Sequence, residues 1–140
     1  MQTLKFILIL LVSFKSLAQM SAPPERLWIT DSEFENKINE KHAFGDDDNK
    51  PVLIEFWADF NKDNCFPDWD KIENAIYYRV DIAKAPLAKK KYRIRMAPTL
   101  IIFKNGSKEI VFKAGLDLVL PTDLNEVQEA INEINTASKF

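Results

Sequence analysis

The chain reads as an α/β domain: a mixed sheet of about five strands with helices on both faces. Three observations lead there. Val52 to Trp57 is a nearly continuous apolar run, the pattern of a central strand covered on both faces. Strand-like and helix-like segments alternate along the chain. Asn105-Gly106 between two apolar stretches is a strong hairpin signal, so the alternation ends in an antiparallel pair. A length of 140 residues, 46% of them hydrophobic and 11% aromatic, suits a single domain with a packed core.

The first 18 residues read as an export leader. Lys5 supplies a weak positive start and Phe6 to Val12 an apolar core. Ser16-Leu17-Ala18 is a small-residue cleavage site before Gln19. The apolar run is far short of the roughly 20 residues that a membrane span needs. An uncleaved anchor is the alternative, and Lys15 makes it awkward. Cleavage leaves a periplasmic or secreted protein off the membrane, and loss of Lys5 and Lys15 takes the net charge from −2 to −4. Residues 19–25, with Ser21-Ala22-Pro23-Pro24, are a linker, and 26–140 are the domain.

Within the domain, Leu27-Trp28-Ile29 reads as a short first strand. Thr30-x-x-Glu33 is a capping-box pattern that opens a helix carrying Phe34 and Ile38 at i, i+4. Gly45 to Asn49 is a polar loop whose three aspartates lack the alternating ligand spacing of an EF-hand. After Val52–Trp57, the three-residue spacing of Phe66, Trp69 and Ile72 predicts a short helix, with Pro67 in its first turn. Ile76 to Asp81 is the next strand and Pro86 to Tyr92 the next helix. Thr99 to Phe103 and Glu109 to Lys113 form the hairpin. Leu124, Val127, Ile131 and Ile134 mark a closing amphipathic helix.

The net charge of −2 and the lack of a basic stripe argue against nucleic acid as a partner. One Cys excludes an internal disulfide and a multi-cysteine metal site, and one His, His42, excludes a His-based centre, so no metal or cofactor is expected. His42 itself reads as a solvated residue near the end of the first helix.

Three motifs, in this order and spacing, resemble the thioredoxin family across roughly residues 26–136. They are the strand Val52–Ala58, the segment Lys91 to Thr99 ending in Pro98-Thr99, and the hairpin strand and turn Leu100 to Gly106. Asp81 falls where the family has an Asp closing its middle strand. The resemblance implies a thioredoxin-like three-layer sandwich, and it implies that Pro98 is cis. The departures are at the redox centre. Where the family has Cys-x-x-Cys, the chain has Asn61-Lys62-Asp63-Asn64, and its only cysteine, Cys65, comes one position later. The family's tryptophan before the first cysteine is Phe60, and the residue before the proline is Ala97. The segment from the motif to Asp81 is short, so the second helix should be clipped.

Disulfide exchange needs an attacking thiolate and a resolving thiol. The resemblance puts Asn61 and Asn64 in those places, and Asn at a helix start is a good N-cap. This points to a domain that keeps the fold without the dithiol chemistry. Cys65 is the counterweight: near the same helix start, a macrodipole and Lys62 would lower its pKa, while Asp63, Asp68 and Asp70 oppose that. The alternative places it as a small buried hydrophobe. Glu55 sits inside the apolar strand, where the family often keeps a buried acid. It reads either as a relic proton acceptor or as a desolvated carboxyl, favouring its neutral form and bonded to Tyr77 or a neighbouring strand.

In the family the backbone before the proline pairs with an extended peptide, a form of strand addition that needs no cysteine. Trp57, Phe60, Phe66 and Ala97 could then line a shallow apolar patch beside Pro98. The alternative makes the aromatics core and Pro98 only a turn former. The expected function is therefore an exported, redox-inactive module for a protein or peptide partner. The alternatives are a single-cysteine oxidoreductase using Cys65 and an external thiol, and a dimer through a Cys65–Cys65 bridge.

Overall fold

The structure, a computed structural model, describes residues 22–40 and 50–138. The leader, His42 and the Gly45–Asn49 loop lie outside the described residues. Four strands form one sheet: β1 (Val52–Trp57), β2 (Ile76–Asp81), β3 (Thr99–Lys104) and β4 (Ser107–Lys113), in the order β2-β1-β3-β4. β1 runs parallel to β2 and antiparallel to β3, and β3 pairs antiparallel with β4. Three helices cover it: α1 (Phe34–Ile38), α2 (Pro86–Lys91) and α3 (Leu124–Ala137).

Strand alternation sorts the core into two layers. Val52, Ile54 and Phe56 of β1 pack with Phe34 and Ile38 of α1 and Ala88 of α2. Leu53 points the other way, onto Phe66, Val127 and Ile131. Glu55 shares the parity of Leu53, so a carboxylate is buried on the α3 side of the sheet with no exposed surface. The hairpin turns at Asn105 (φ 51°) and Gly106 (φ 79°), the two positive φ values that a type I′ turn requires.

Two expected elements differ. The first strand shrinks to a single parallel bridge, Trp28 to Arg79, with Ile29 N–H donating to Arg79 O at 2.9 Å. It is squeezed between a 3₁₀ turn at Glu25–Leu27, set up by Pro23-Pro24, and the capping box of Thr30. That box forms as read: Thr30 N–H donates to Glu33 Oε2 (2.9 Å) and Glu33 N–H to Thr30 Oγ1 (3.3 Å). Among the described residues the mixed sheet thus has four strands and the Trp28 bridge at its edge, in keeping with about five.

The helix expected between β1 and β2 is absent. Two 3₁₀ segments, Asp59–Asn64 and Trp69–Lys71, make the crossover instead. The cause is Pro67. Its ring disfavours helical backbone at Phe66, and Cys65 is already extended (φ −62°, ψ 162°). The three-residue spacing of Phe66, Trp69 and Ile72 is met by a loop whose apolar side chains reach the α3 layer.

α2 is only six residues long, too short to stand on its own hydrogen bonds. Ala85 at its N-cap offers no side chain, and the cap arrives from a distance. Asp31 Oδ2 accepts from Leu87 N–H and Oδ1 from Ala88 N–H, both at 2.9 Å. A carboxylate on the first free amides of a helix satisfies them and is attracted by the positive end of the helix dipole. Asp31→Ala is expected to lower stability by about 1–2 kcal/mol. Urea unfolding reads the loss, and Asp31→Asn, which keeps one acceptor, should lose less.

Candidate functional site

The site is built around the loop that leaves β1. Its centre is Asn61, 9% exposed and kinked out of helical backbone (φ −124°). It does not cap a helix; Ala58 holds that position. Its Nδ2 donates to Ala97 O at 2.7 Å and to Leu118 O at 2.8 Å, and its Oδ1 accepts from Asn64 Nδ2 at 2.7 Å. One amide thus binds three segments together: the loop after β1, the turn before Pro98 and the loop after β4.

The Ala97–Pro98 bond is cis. Ala97 and Pro98 are buried, and the carbonyl that a strand-like peptide would use is already taken by Asn61. Phe66, 2% exposed, belongs to the core, so the apolar patch expected from Trp57, Phe60, Phe66 and Ala97 does not form. Trp57 is half-buried and packs edge-on against Trp28, with ring centroids 4.9 Å apart. Phe60 alone of the four stands open, at 75% exposure. Leu116 and Val119 are also exposed, on the loop that Asn61 grips at Leu118. Phe60 is thus next to Asn61 in the chain and Val119 next to Leu118, so each loop that the clasp joins carries an open apolar side chain.

Cys65 is half-buried at the C-terminal end of the 3₁₀ turn. No α-helix starts there, so the expected macrodipole is missing. Burial pushes the thiol pKa up; the Arg79 guanidinium pulls the other way with smaller effect. Half-burial and a raised pKa both lower its reactivity.

Glu55 accepts three hydrogen bonds: from Tyr77 Oη (2.6 Å) and Arg79 Nη2 (2.9 Å) on Oε1, and from Phe66 N–H (3.0 Å) on Oε2. All three partners donate, so the site is built for the carboxylate. Tyr77 is the partner expected from the sequence. Arg79 is a neighbour on the adjacent strand, as that reading allowed, but a charged one: Glu55 is the partner in a buried ion pair rather than a desolvated acid. Arg79 is 2% exposed and also donates to Tyr77 Oη and Phe66 O. The missed signal was the strand register. Arg79 lies two residues from Tyr77, on the same face, and directly opposite Glu55. Among the described residues no buried polar side-chain atom lacks a partner, and no cluster could hold a metal ion.

Removing one charge from a buried pair leaves the other uncompensated. Glu55→Gln is expected to destabilise the fold at pH 7 by about 3 kcal/mol, read by urea unfolding.

All three tyrosines of the chain have raised pKa values. Burial is the main cause in each. Glu55 adds to it at Tyr77, Glu40 at Tyr78 (2.7 Å) and Glu35 at Tyr92 (3.1 Å). The phenols of the unfolded chain ionise near pH 10 while folding holds the Tyr77 proton to higher pH, so stability should fall as pH rises above about 10. For Tyr77 the slope is about 1.4 kcal/mol per pH unit. In an absorbance titration, the Tyr77 phenolate, identified by its loss in Tyr77→Phe, should appear together with the loss of folded circular dichroism, not before it.

Comparison with known proteins agrees with this geometry. The family model described as thioredoxin matches residues 25–120. The thioredoxin of Rickettsia prowazekii (strain Madrid E) is 30% identical over 92 residues, which cover 58% of this chain and 77% of that protein. The chloroplastic thioredoxin M4 of Arabidopsis thaliana is 31% identical over 92 residues, 58% of this chain, but the match spans only 42% of that longer protein. A solved mutant thioredoxin from Halobacterium salinarum NRC-1 shares the fold at a TM-score of 0.60 and 19% identity, over 78% of this chain and 89% of its own. The match runs through β1, the cis-proline turn and the hairpin to the loop after β4, and by it the chain belongs to the thioredoxin family.

Proposed function

We propose that this chain is an exported thioredoxin-family domain that works by binding a protein or peptide rather than by dithiol exchange. The observation that carries the reading is Asn61. At the position the family gives to its attacking thiol stands a buried amide with three hydrogen bonds, which serves structure and offers no nucleophile. The only thiol left, Cys65, is half-buried and has no partner in the chain to resolve a mixed disulfide. This speaks against the single-cysteine oxidoreductase.

The binding face is the ground around the Asn61 clasp. Phe60 and Val119, on the two loops that the clasp joins, keep apolar surface open, and exposed apolar side chains are what a contact surface needs. With Ala97 O engaged by Asn61, a partner meets these side chains before it meets the backbone beside Pro98. The leader-like first 18 residues support export, to the periplasm or outside the cell.

In an insulin-reduction assay with dithiothreitol, the protein should stay at the rate of dithiothreitol alone. Turnover like that of an ordinary thioredoxin, abolished in Cys65→Ser, would overturn this reading.

A further inference from the structure

A groove of about 700 Å³ lies between the end of α2 and the outer strand β4. Arg93, Arg95, Lys108 and Lys113 line it, and no Asp or Glu does. Arg93 and Arg95 also line an adjoining hollow with Lys89 and Lys90, again without an acid. All six side chains are exposed, and none makes an ion pair or side-chain hydrogen bond among the described residues. Lys91, in the midst of them, is by contrast paired with Glu35 at 2.6 Å. A chain with a net charge of −2 thus gathers positive charge, without an ion pair among the described residues, along both walls of one groove.

Arg93 adds a second observation. It sits just past α2 in left-handed backbone (φ 55°), where glycine is the unstrained choice. A cation at this place complements the negative end of the helix and holds its charge at the mouth of the groove. Between the cations the groove is apolar: Val111 and Leu116 line it and are exposed. On the side of β4 away from β3, no described strand pairs with it, so its edge is open to strand addition.

We infer that this groove holds an acidic, extended segment of the partner protein, its carboxylates on Arg93, Arg95, Lys108 and Lys113 and its apolar residues on Val111 and Leu116. The inference rests on the proposed binding function and names the chemistry of the partner. Val111 and Lys113, two residues apart, share the face of β4 that lines the groove, so apolar and positive surface lie side by side there. Nucleic acid fits less well. Tyr92, the aromatic side chain that lines the groove, packs its ring among Phe34, Phe56 and Phe103 and has no free face for a base.

Fluorescence anisotropy tests this with labelled peptides of about ten residues, strand length, alternating Glu–Val, Lys–Val or Ser–Val, and with an oligothymidine of similar size. The Glu–Val peptide should bind about tenfold or more tighter than the Lys–Val peptide and weaken as salt is raised toward physiological strength. Arg93→Glu with Lys113→Glu should remove that preference, and Arg93→Lys with Lys113→Arg should keep it. The salt series uses the unaltered chain, so it decides the matter even if a variant fails to fold. Equal binding of Glu–Val, Lys–Val and Ser–Val peptides would overturn the acidic groove and leave the binding module standing. Tighter binding of oligothymidine than of the Glu–Val peptide would also overturn it. No binding of any peptide would overturn both.

Discussion

A carboxylate buried in the middle of an apolar strand constrains everything around it. Glu55 has no exposed surface, and a bare charge there would cost several kcal/mol. The chain meets that cost with three donors from two directions: Tyr77 and Arg79 from the neighbouring strand, and Phe66 N–H from the loop that crosses between them. Arg79 in turn takes Phe66 O and lies over the Trp28 ring at 5.3 Å. Both backbone polar groups of Phe66 are thereby fixed by the ion pair. A crossover without an α-helix would otherwise have little to hold it to the sheet. The ion pair supplies the fastening that helical hydrogen bonds and a helix face provide in other α/β crossovers.

Asn61 does the same one layer further out. The loop after β1, the turn before Pro98 and the loop after β4 each have irregular backbone. A single primary amide, with two donors and an acceptor all used, joins them. Phe60 and Val119, next in the chain to residues of this clasp, stay exposed at the surface.

What the sequence revealed and what it hid follow from distance along the chain. The capping box of Thr30 and Glu33, the hairpin at Asn105-Gly106 and the central strand are local patterns, and all could be read directly. The burial of Glu55 followed from its neighbours, and Tyr77 followed as its partner. Arg79 was missed because a charged residue in a strand suggests a solvent-facing side, and only the register reveals that it faces Glu55. Asn61 looked like a cap because capping is the local use of Asn. Its real acceptors lie 36 and 57 residues away, beyond any local pattern. The helix between β1 and β2 was misread because Pro67 suits a helix start as well as a break, and only the shape of the whole crossover decides between them.

The Asn61 clasp also limits what the loop after β1 can become. Exchanging residues 61 and 64 for cysteines would restore the spelling of a redox motif but strand two carbonyls, Ala97 O and Leu118 O, that have come to depend on the amide. An unsatisfied buried polar group costs about 1–3 kcal/mol, a sizeable part of the roughly 5–15 kcal/mol that keeps a domain folded. Each such dependence raises the stability cost of placing thiols at positions 61 and 64 of this scaffold. The loop's hydrogen bonds thus limit which side chains it can carry and still stay folded.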